Sequence, residues 1–307
     1  MISIVTAYYN RKKLFIRTLE SIAKTSLKEG FEVIAVDDGS KEEERLEDLV
    51  SVFPFLRVIR LESKNKWYSN SCIPFNIGFK LAKGDKIIIQ NPECLHYDDI
   101  LKFTNDNLRS SEYLSFGCYS LDKQTTENLD EILQQENQIE KVIQEGGINT
   151  EFDGDSGWYN HSLHRPVGYH FCTAITKKDL NCLGGFDERF SLGIAYDDDE
   201  FLKRIKMILK IVFVDSHIVL HQNHYSPKST SYENRVNKHN LISRNKFAFN
   251  NKSNIFSQYR ANLISKHLPV TMKKYWIAIF VKTEELYFKS INKITRGISL
   301  NNKKGPR

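Results

Sequence analysis

The sequence lacks most of what staples or anchors a protein. Its cysteines, Cys72, Cys94, Cys118, Cys172 and Cys182, form no C-x-x-C pair and leave an odd one over. Neither a disulfide scaffold nor a zinc ribbon is therefore expected, and the thiols read as reduced and mostly buried. Long apolar runs are missing too. Runs such as Lys86–Ile89 and Tyr275–Val281 are far short of the roughly 18 residues a bilayer span requires. Met1 leads into Ile2-Ser3-Ile4-Val5-Thr6 and then at once into Asn10-Arg11-Lys12-Lys13, which is no signal-peptide pattern. The expectation is a cytoplasmic protein not integral to a membrane. No internal repeat is visible. The last scarcity is of acid in the tail: of 38 Asp and Glu in 307 residues, only Glu233, Glu284 and Glu285 lie beyond Tyr225, against 17 of the 44 Lys and Arg. Residues 1–225 are net −8 and residues 226–307 net +14, so the chain divides into an acidic body and a basic extension.

What is present is an ordinary folding composition, 40% hydrophobic, 12% aromatic and 27% charged, enough to bury a full core. Ile2–Thr6 reads as a strand, and Leu14, Ile16, Leu19, Ile22 and Ala23 recur at helical spacing. Phe31–Asp37 is a strand again, Leu46, Leu49 and Val50 mark a helix, and Leu56–Leu61 is a third strand. Ile77–Ala82 ends another helix before Lys86–Gln90, a fourth strand. Strands alternating with helices predict a parallel sheet with crossovers, a doubly wound α/β domain. Such sheets bind ligands beyond the carboxyl ends of their strands, which singles out Ala7–Arg11, Asp37–Ser40 and Asn91–His96.

Further along, Leu129, Ile132, Leu133, Ile139, Val142 and Ile143 suit one amphipathic helix, and Asp153–His164 reads as a long polar and aromatic loop. Tyr169–Ile175 is expected as strand, Glu200–Leu209 as helix and Ile211–Val214 as strand. Helices are expected near Val236–Phe249 and over Met272–Ile294.

Three polar clusters punctuate the strand ends: Asp37-Asp38-Gly39-Ser40, Asn91-Pro92-Glu93 and Asp197-Asp198-Asp199-Glu200. Each alone is ordinary turn or helix-start chemistry. Together they suit a nucleotide-sugar site, with one carboxylate for a base or ribose, one for a metal on a diphosphate and one as general base. The chain resembles the GT-A glycosyltransferases, family 2 most closely. The likeness rests on Ile4-Val5-Thr6-Ala7-Tyr8-Tyr9-Asn10-Arg11, on Val36-Asp37-Asp38-Gly39-Ser40, and on Asn76-Ile77-Gly78 running to Ala82-Lys83-Gly84-Asp85. It continues in Gly184-Gly185-Phe186-Asp187-Glu188 and in Asp197-Asp198-Asp199-Glu200-Phe201-Leu202-Lys203-Arg204.

The resemblance implies a Rossmann-like GT-A fold over residues 1–225, with a nucleotide half to about residue 110 and an acceptor half at 111–225. A helical extension follows at 226–307. It implies an inverting transferase that moves a sugar from a nucleoside diphosphate donor, uridine most often, to a hydroxyl of a glycan or glycoconjugate. Asp198 is then the general base, with Asp197 beside it. Ala7, Tyr9, Asn10, Arg11, Asp38 and Asn76 line the nucleotide. The family's D-x-D is replaced by Asn91-Pro92-Glu93, which leaves Glu93 as a carboxylate ligand and Asn91 as a neutral neighbour of the diphosphate. His221, in Val219-Leu220-His221-Gln222-Asn223-His224, is the expected second ligand, with His224 behind it as ligand or diphosphate donor. Carboxylate plus imidazole favours Mn²⁺, with Mg²⁺ second. On the acceptor side, Trp158 is the sugar-stacking candidate, with His161 and Arg165 as polar contacts. The substitution of Asp by Asn91 also leaves a second reading, a degenerate member that binds glycan or nucleotide without turnover.

The basic tail shows no helix-turn-helix, zinc-finger or RNA-recognition pattern, so no nucleic-acid partner is expected. Met272–Ile294 mixes Trp276, Ile277, Phe280 and Val281 with lysines, as does a helix packing on the body, a homodimer contact or a peripheral membrane contact.

Overall fold

The computed structural model of the chain describes residues 1–27, 30–148, 155–224, 242–243, 245–246, 249 and 267–302. Strands β1 (Ile2–Tyr8), β2 (Phe31–Asp37), β3 (Leu56–Arg60) and β4 (Lys86–Gln90) are parallel and lie in the order β3-β2-β1-β4. Their near-continuous apolar character fits strands covered on both faces: Ile4, Val5, Val33, Ile34, Ile87 and Ile88 have no exposed surface. Helices α1 (Lys12–Ala23) and α2 (Cys72–Leu81) follow β1 and β3 as crossovers.

Beyond β4 the sheet is mixed, which the alternation in the first hundred residues could not foretell. β5 (Cys94–His96) and α3 (Ile100–Asn107) precede β6 (Glu112–Ser120). Short helices α4 (Lys123–Glu127), α5 (Leu129–Ile132) and α6 (Gln138–Glu145) follow, then β7 (Gly157–Asn160), β8 (Cys172–Thr176), α7 (Lys177–Leu183), α8 (Asp197–Ile208) and β9 (Lys210–His221). The sheet continues β4-β8-β6-β9-β5, with β7 on β6; β8 is antiparallel to β4 and to β6, β9 is parallel to β6, and β5 is antiparallel to β9.

Several elements depart from the sequence reading. The helix expected at Leu46–Val50 is two 3₁₀ turns, Glu42–Glu44 and Glu47–Ser51. The amphipathic stretch 129–143 is broken by Asn137, whose φ of 57° is left-handed, so its apolar stripe is divided between α5 and α6. Within the expected 153–164 loop, residues 157–160 pair as β7, while Asp153 and Gly154 lie outside the described residues. The expected strand 211–214 runs on to His221. Most of the Val236–Phe249 helix lies outside the described residues. The C-terminal helix α9 is longer than expected, Val270–Asn302.

The A-x-G-D motif has a packing reason. A Cβ on Gly84 would lie 2.6 Å from the Ser3 nitrogen and 2.8 Å from the Met1 carbonyl oxygen, both backbone atoms that cannot yield. Gly84→Ala is expected to cost roughly 1–3 kcal/mol of stability, read by urea denaturation, with any surviving folded protein keeping its activity.

Candidate active site

The two aspartates of Asp37-Asp38-Gly39-Ser40 divide their work. Asp37 is fully buried; it accepts from the Ser40 amide at 2.8 Å and pairs with Arg60 at 2.9 Å, so it builds the turn. Asp38 looks outward from the same strand end. Its Oδ1 accepts from the Tyr68 hydroxyl at 2.5 Å and its Oδ2 from Lys66 Nζ at 2.6 Å. Burial raises its carboxyl above the ordinary range, and the bonds from Lys66 and Tyr68 pull it back. Lys66 Nζ also stands 4.8 Å from the centre of the Tyr9 ring, which is 47% exposed. A flat exposed ring beside a carboxylate has the chemistry to stack on a heteroaromatic base and accept one of its N–H groups.

Asn10, at φ 48°, ties the first loop to the second: its amide donates to Ser40 Oγ at 3.1 Å and its Oδ1 accepts from the Lys41 amide at 3.0 Å. Ala7 is the partly exposed residue of β1 opposite Val36. Asn76 is engaged elsewhere. Its amide donates to the Phe186 carbonyl at 2.9 Å and to Glu188 at 3.1 Å and accepts from the Phe186 amide at 2.9 Å. It therefore pins α2 to the Gly184–Glu188 turn instead of joining the Asp38 group, and is a positioning residue.

Arg11 does not extend toward Asp38 either. It donates to Glu93 Oε2 at 2.6 Å. The other oxygen of Glu93 lies 3.2 Å from His221 Nε2 and 3.3 Å from His224 Nε2, and ligand atoms of these three residues all fall within 4.8 Å of one another. The sheet explains the meeting: Cys94 pairs with His221 across β5 and β9, and the Glu93 carbonyl accepts from the Gln222 amide and from its Nε2, both at 3.1 Å. The Asn91-Pro92-Glu93 turn closes through Cys94 N to Asn91 O at 3.1 Å, and Asn91 N bonds Phe171 O at 3.1 Å. Glu93 is 1% exposed. Burial alone would raise its carboxyl, but Arg11 and the two imidazoles hold it well below the usual range. Burial pushes His224 down to about 3 against the pull of Glu93, so its ring keeps a lone pair at neutral pH. An ionised carboxylate oxygen with an unprotonated imidazole beside it fits a borderline divalent cation. Arg11 is the resident cation on the opposite oxygen.

The third group opens α8. Ala195 and Tyr196 have φ of 61° and 67°, left-handed values that cost non-glycine residues about 1–2 kcal/mol each. Asn245 braces this turn by donating to the carbonyls of Phe190 at 3.0 Å and Ala195 at 2.8 Å. The strain presents Asp197, Asp198 and Asp199 at one helix end. Asp197 accepts from Asn70 Nδ2 at 2.7 Å, and Asp199 from the Tyr169 hydroxyl at 2.6 Å. Asp198 accepts the Asp199 amide at 2.9 Å. Burial, then repulsion from Asp197 and Asp199, pushes Asp198 up to about 8.

An aromatic wall joins this helix end to Glu93. Tyr169 is 6.4 Å from Phe171, Phe171 is 5.6 Å from His221, and Tyr159 is 4.9 Å from His221, measured between ring centres. Arg165 lies over Tyr159 at 5.5 Å. Trp158 does not belong to this wall. Successive strand residues point to opposite faces, and Trp158, 7% exposed, packs edge-on to Tyr119 at 5.1 Å and against His161 at 4.4 Å. It packs under the loop, while Tyr159, its neighbour and itself only 3% exposed, turns to the side of His221 and Arg165. His161 Nδ1 accepts the Leu163 and His164 amides, which shapes the turn. Lys66 and Tyr68, which the sequence reading passed over, follow β3, and the rule that drew attention to the other strand ends covers that one equally. Tyr159 was within reach of the alternation along β7.

The fold is that of the GT-A glycosyltransferases. Residues 3–104 match the family described as Glycosyl transferase family 2. TarS 1–349 of S. aureus in complex with UDP-GlcNAc superposes with a TM-score of 0.54 at 16% identity, over 91% of this chain and 71% of that one. The mannosyltransferase PcManGT from Pyrobaculum calidifontis, in complex with GDP-Man and Mn²⁺, superposes with 0.51 at 14% identity, over 99% and 81%. GalNAc-T7 with UDP, GalNAc and Mn²⁺ gives 0.54 at 15%, over 93% and 54%. The chain spans 42% of the longer TarS chain. No curated protein sequence matches it at a comparable level. At these identities the GT-A likeness speaks for the fold.

Proposed function

We propose that the chain is an inverting glycosyltransferase that moves a sugar from a uridine diphosphate donor to a hydroxyl of a glycan or glycoconjugate. Residues 1–225 form its catalytic unit. The observation that carries the reading is that the Asp198 helix end and the Glu93 cluster meet on one wall, through Tyr169, Phe171 and His221. A hydroxyl is a poor nucleophile, so Asp198 takes its proton as the oxygen attacks the anomeric carbon. The bond from that carbon to the diphosphate oxygen breaks on the opposite face, and the electron pair leaves with the nucleotide. Glu93, His221 and His224 would hold a divalent metal, Mn²⁺ before Mg²⁺, which when bound supplies Lewis-acid neutralisation of the departing diphosphate. Asn91 is the neutral amide beside that group, and Arg165 the polar residue over Tyr159 on the acceptor side.

Uridine is favoured because Asp38 can accept the imide N–H of uracil beside the Tyr9 ring, and because the TarS and GalNAc-T7 structures are complexes with UDP-GlcNAc and UDP. The single hydroxyl hydrogen of Tyr68 and one ammonium hydrogen of Lys66 are spent on holding Asp38 in place. Asp38→Asn removes the charge and turns one of the two acceptor oxygens into a donor, and UDP affinity is expected to fall about 10–100-fold by calorimetry, because a donor is then left facing the donors from which Asp38 now accepts. Unchanged UDP binding in that variant removes Asp38 from the base site.

The reading as a whole is tested by incubating the purified chain with a panel of UDP- and GDP-sugars and Mn²⁺ and measuring release of nucleoside diphosphate. Release from a UDP-sugar supports a transferase. Binding without release identifies a degenerate, binding-only member.

A further inference from the structure

Helix α9 meets the rest of the described chain along one line. Ile277 and Val281, each 2% exposed, enter the core cluster that also holds Phe75 and Phe79 of α2. Lys273 pairs with Glu188 at 2.7 Å, and Glu284 with the buried Arg189 at 2.9 Å. These contacts fix which way the helix faces. At about 100° per residue, its opposite side carries Met272, Tyr275, Ile279, Leu286 and Ile294 within an arc of about 100°, together with Thr283 and Ser290, whose hydroxyls donate back to the Ile279 and Leu286 carbonyls at 2.8 Å. The five large hydrophobic residues are 55, 68, 64, 60 and 62% exposed. No acidic residue falls on that arc. Lys282, Lys289 and Lys293, all exposed, line one edge of it. With 33 residues, the helix is about 50 Å long, so the stripe extends well beyond its docked portion.

We propose that this stripe is a docking surface for an anionic lipid bilayer, with α9 lying in the plane of the headgroups. A mainly apolar arc flanked by lysines is the pattern of an interfacial helix: the aliphatic residues and Tyr275 enter the boundary with the acyl chains while the ammonium groups meet anionic headgroups. Charge argues against a second copy as the occupant. Self-association would bring two rows of lysines together with no acid on the arc to answer them, in a segment that is net +14 over residues 226–307. The proposal is independent of the sugar-transfer reading, since the arc shares no residue with the Asp38, Glu93 or Asp198 groups.

The test is co-flotation of the full chain with vesicles of phosphatidylcholine alone and of phosphatidylcholine with about one third phosphatidylglycerol. Partitioning is expected to be at least tenfold stronger on the anionic vesicles. The double variant Ile279→Ser/Leu286→Ser and the triple variant Lys282→Gln/Lys289→Gln/Lys293→Gln should each lose most of it, and added salt should weaken the parent and the serine variant but not the glutamine one. Melting temperature and donor hydrolysis in solution should be unchanged, because every substituted side chain is exposed. The proposal is overturned if anionic vesicles leave the chain in solution, if neutral vesicles bind it equally, or if both variants float like the parent. It is equally overturned if light scattering shows a dimer that the serine variant dissociates while vesicles go unbound.

Discussion

Asp198→Asn is expected to retain nucleotide affinity while losing sugar transfer by about 10²–10⁴-fold, the usual contribution of a positioned general base. The loss should fall on kcat, because the substitution keeps the shape of the side chain and removes only its basicity. The pH behaviour carries more information. Burial and the neighbouring Asp197 and Asp199 push the Asp198 carboxyl up to about 8, so the basic form gains population as pH rises, and kcat/KM should climb with unit slope to a plateau above about pH 8. A carboxylate at its ordinary value would give a flat profile above pH 6. Stability should move in the opposite sense. A carboxyl whose value is raised in the folded chain favours folding while it is protonated, fully so below about pH 4, and this contribution is lost as pH rises through about 8. Asn cannot ionise, so Asp198→Asn should melt higher than the parent above pH 8 and alike near pH 4. A variant that gains stability and loses turnover identifies a strained functional carboxylate. Parental turnover would sink the assignment, and lost turnover with lost stability would mark Asp198 as structural.

What could be read in the sequence follows from how local each determinant is. β2 and β4 are legible because a buried parallel strand carries a short unbroken apolar run bounded by polar or turn residues, Val33–Val36 within Phe31–Asp37 and Ile87–Ile89 within Lys86–Gln90. Val36-Asp37-Asp38-Gly39-Ser40 could be located but not divided, since both carboxylates suit a turn and only Arg60, from the next strand, shows which is buried. Asn76 belongs to a recognisable motif, yet its partners are 110 and 112 residues away, and nothing in spacing announces that. Arg11 is the sharpest example. Its place in the first loop suggests the nucleotide, while its guanidinium spans 82 residues to Glu93. The mixed half of the sheet is hard for the same reason: β9 pairs with β6 and β5 through register that no local pattern encodes.

His221→Ala and chelation should have the second largest effects and should have them together. If Glu93, His221 and His224 hold a divalent cation, EDTA should lower transfer by about 10²-fold or more, as expected for losing several kcal/mol of charge stabilisation on the leaving group. Mn²⁺ should restore it better than Mg²⁺. His221→Ala should mimic the chelated enzyme and respond weakly to added Mn²⁺, and calorimetric Mn²⁺ binding to the parent without donor should vanish in the variant. The Arg11 contact gives this test its edge. Arg11 occupies Glu93 Oε2 at 2.6 Å, leaving the oxygen that faces the imidazoles as the ligand atom. A guanidinium there can meet diphosphate charge by itself. Arg11→Met separates the two cations. With a metal centre, the variant should bind Mn²⁺ at least as well as the parent, because a positive charge has been removed from beside the site, and should be impaired mainly in donor affinity. If activity instead survives EDTA intact and collapses in Arg11→Met, the cluster works without metal: Glu93 and the imidazoles then serve to hold Arg11 against the leaving group, and the replacement of the family's first Asp by Asn91 marks a departure from metal-assisted transfer.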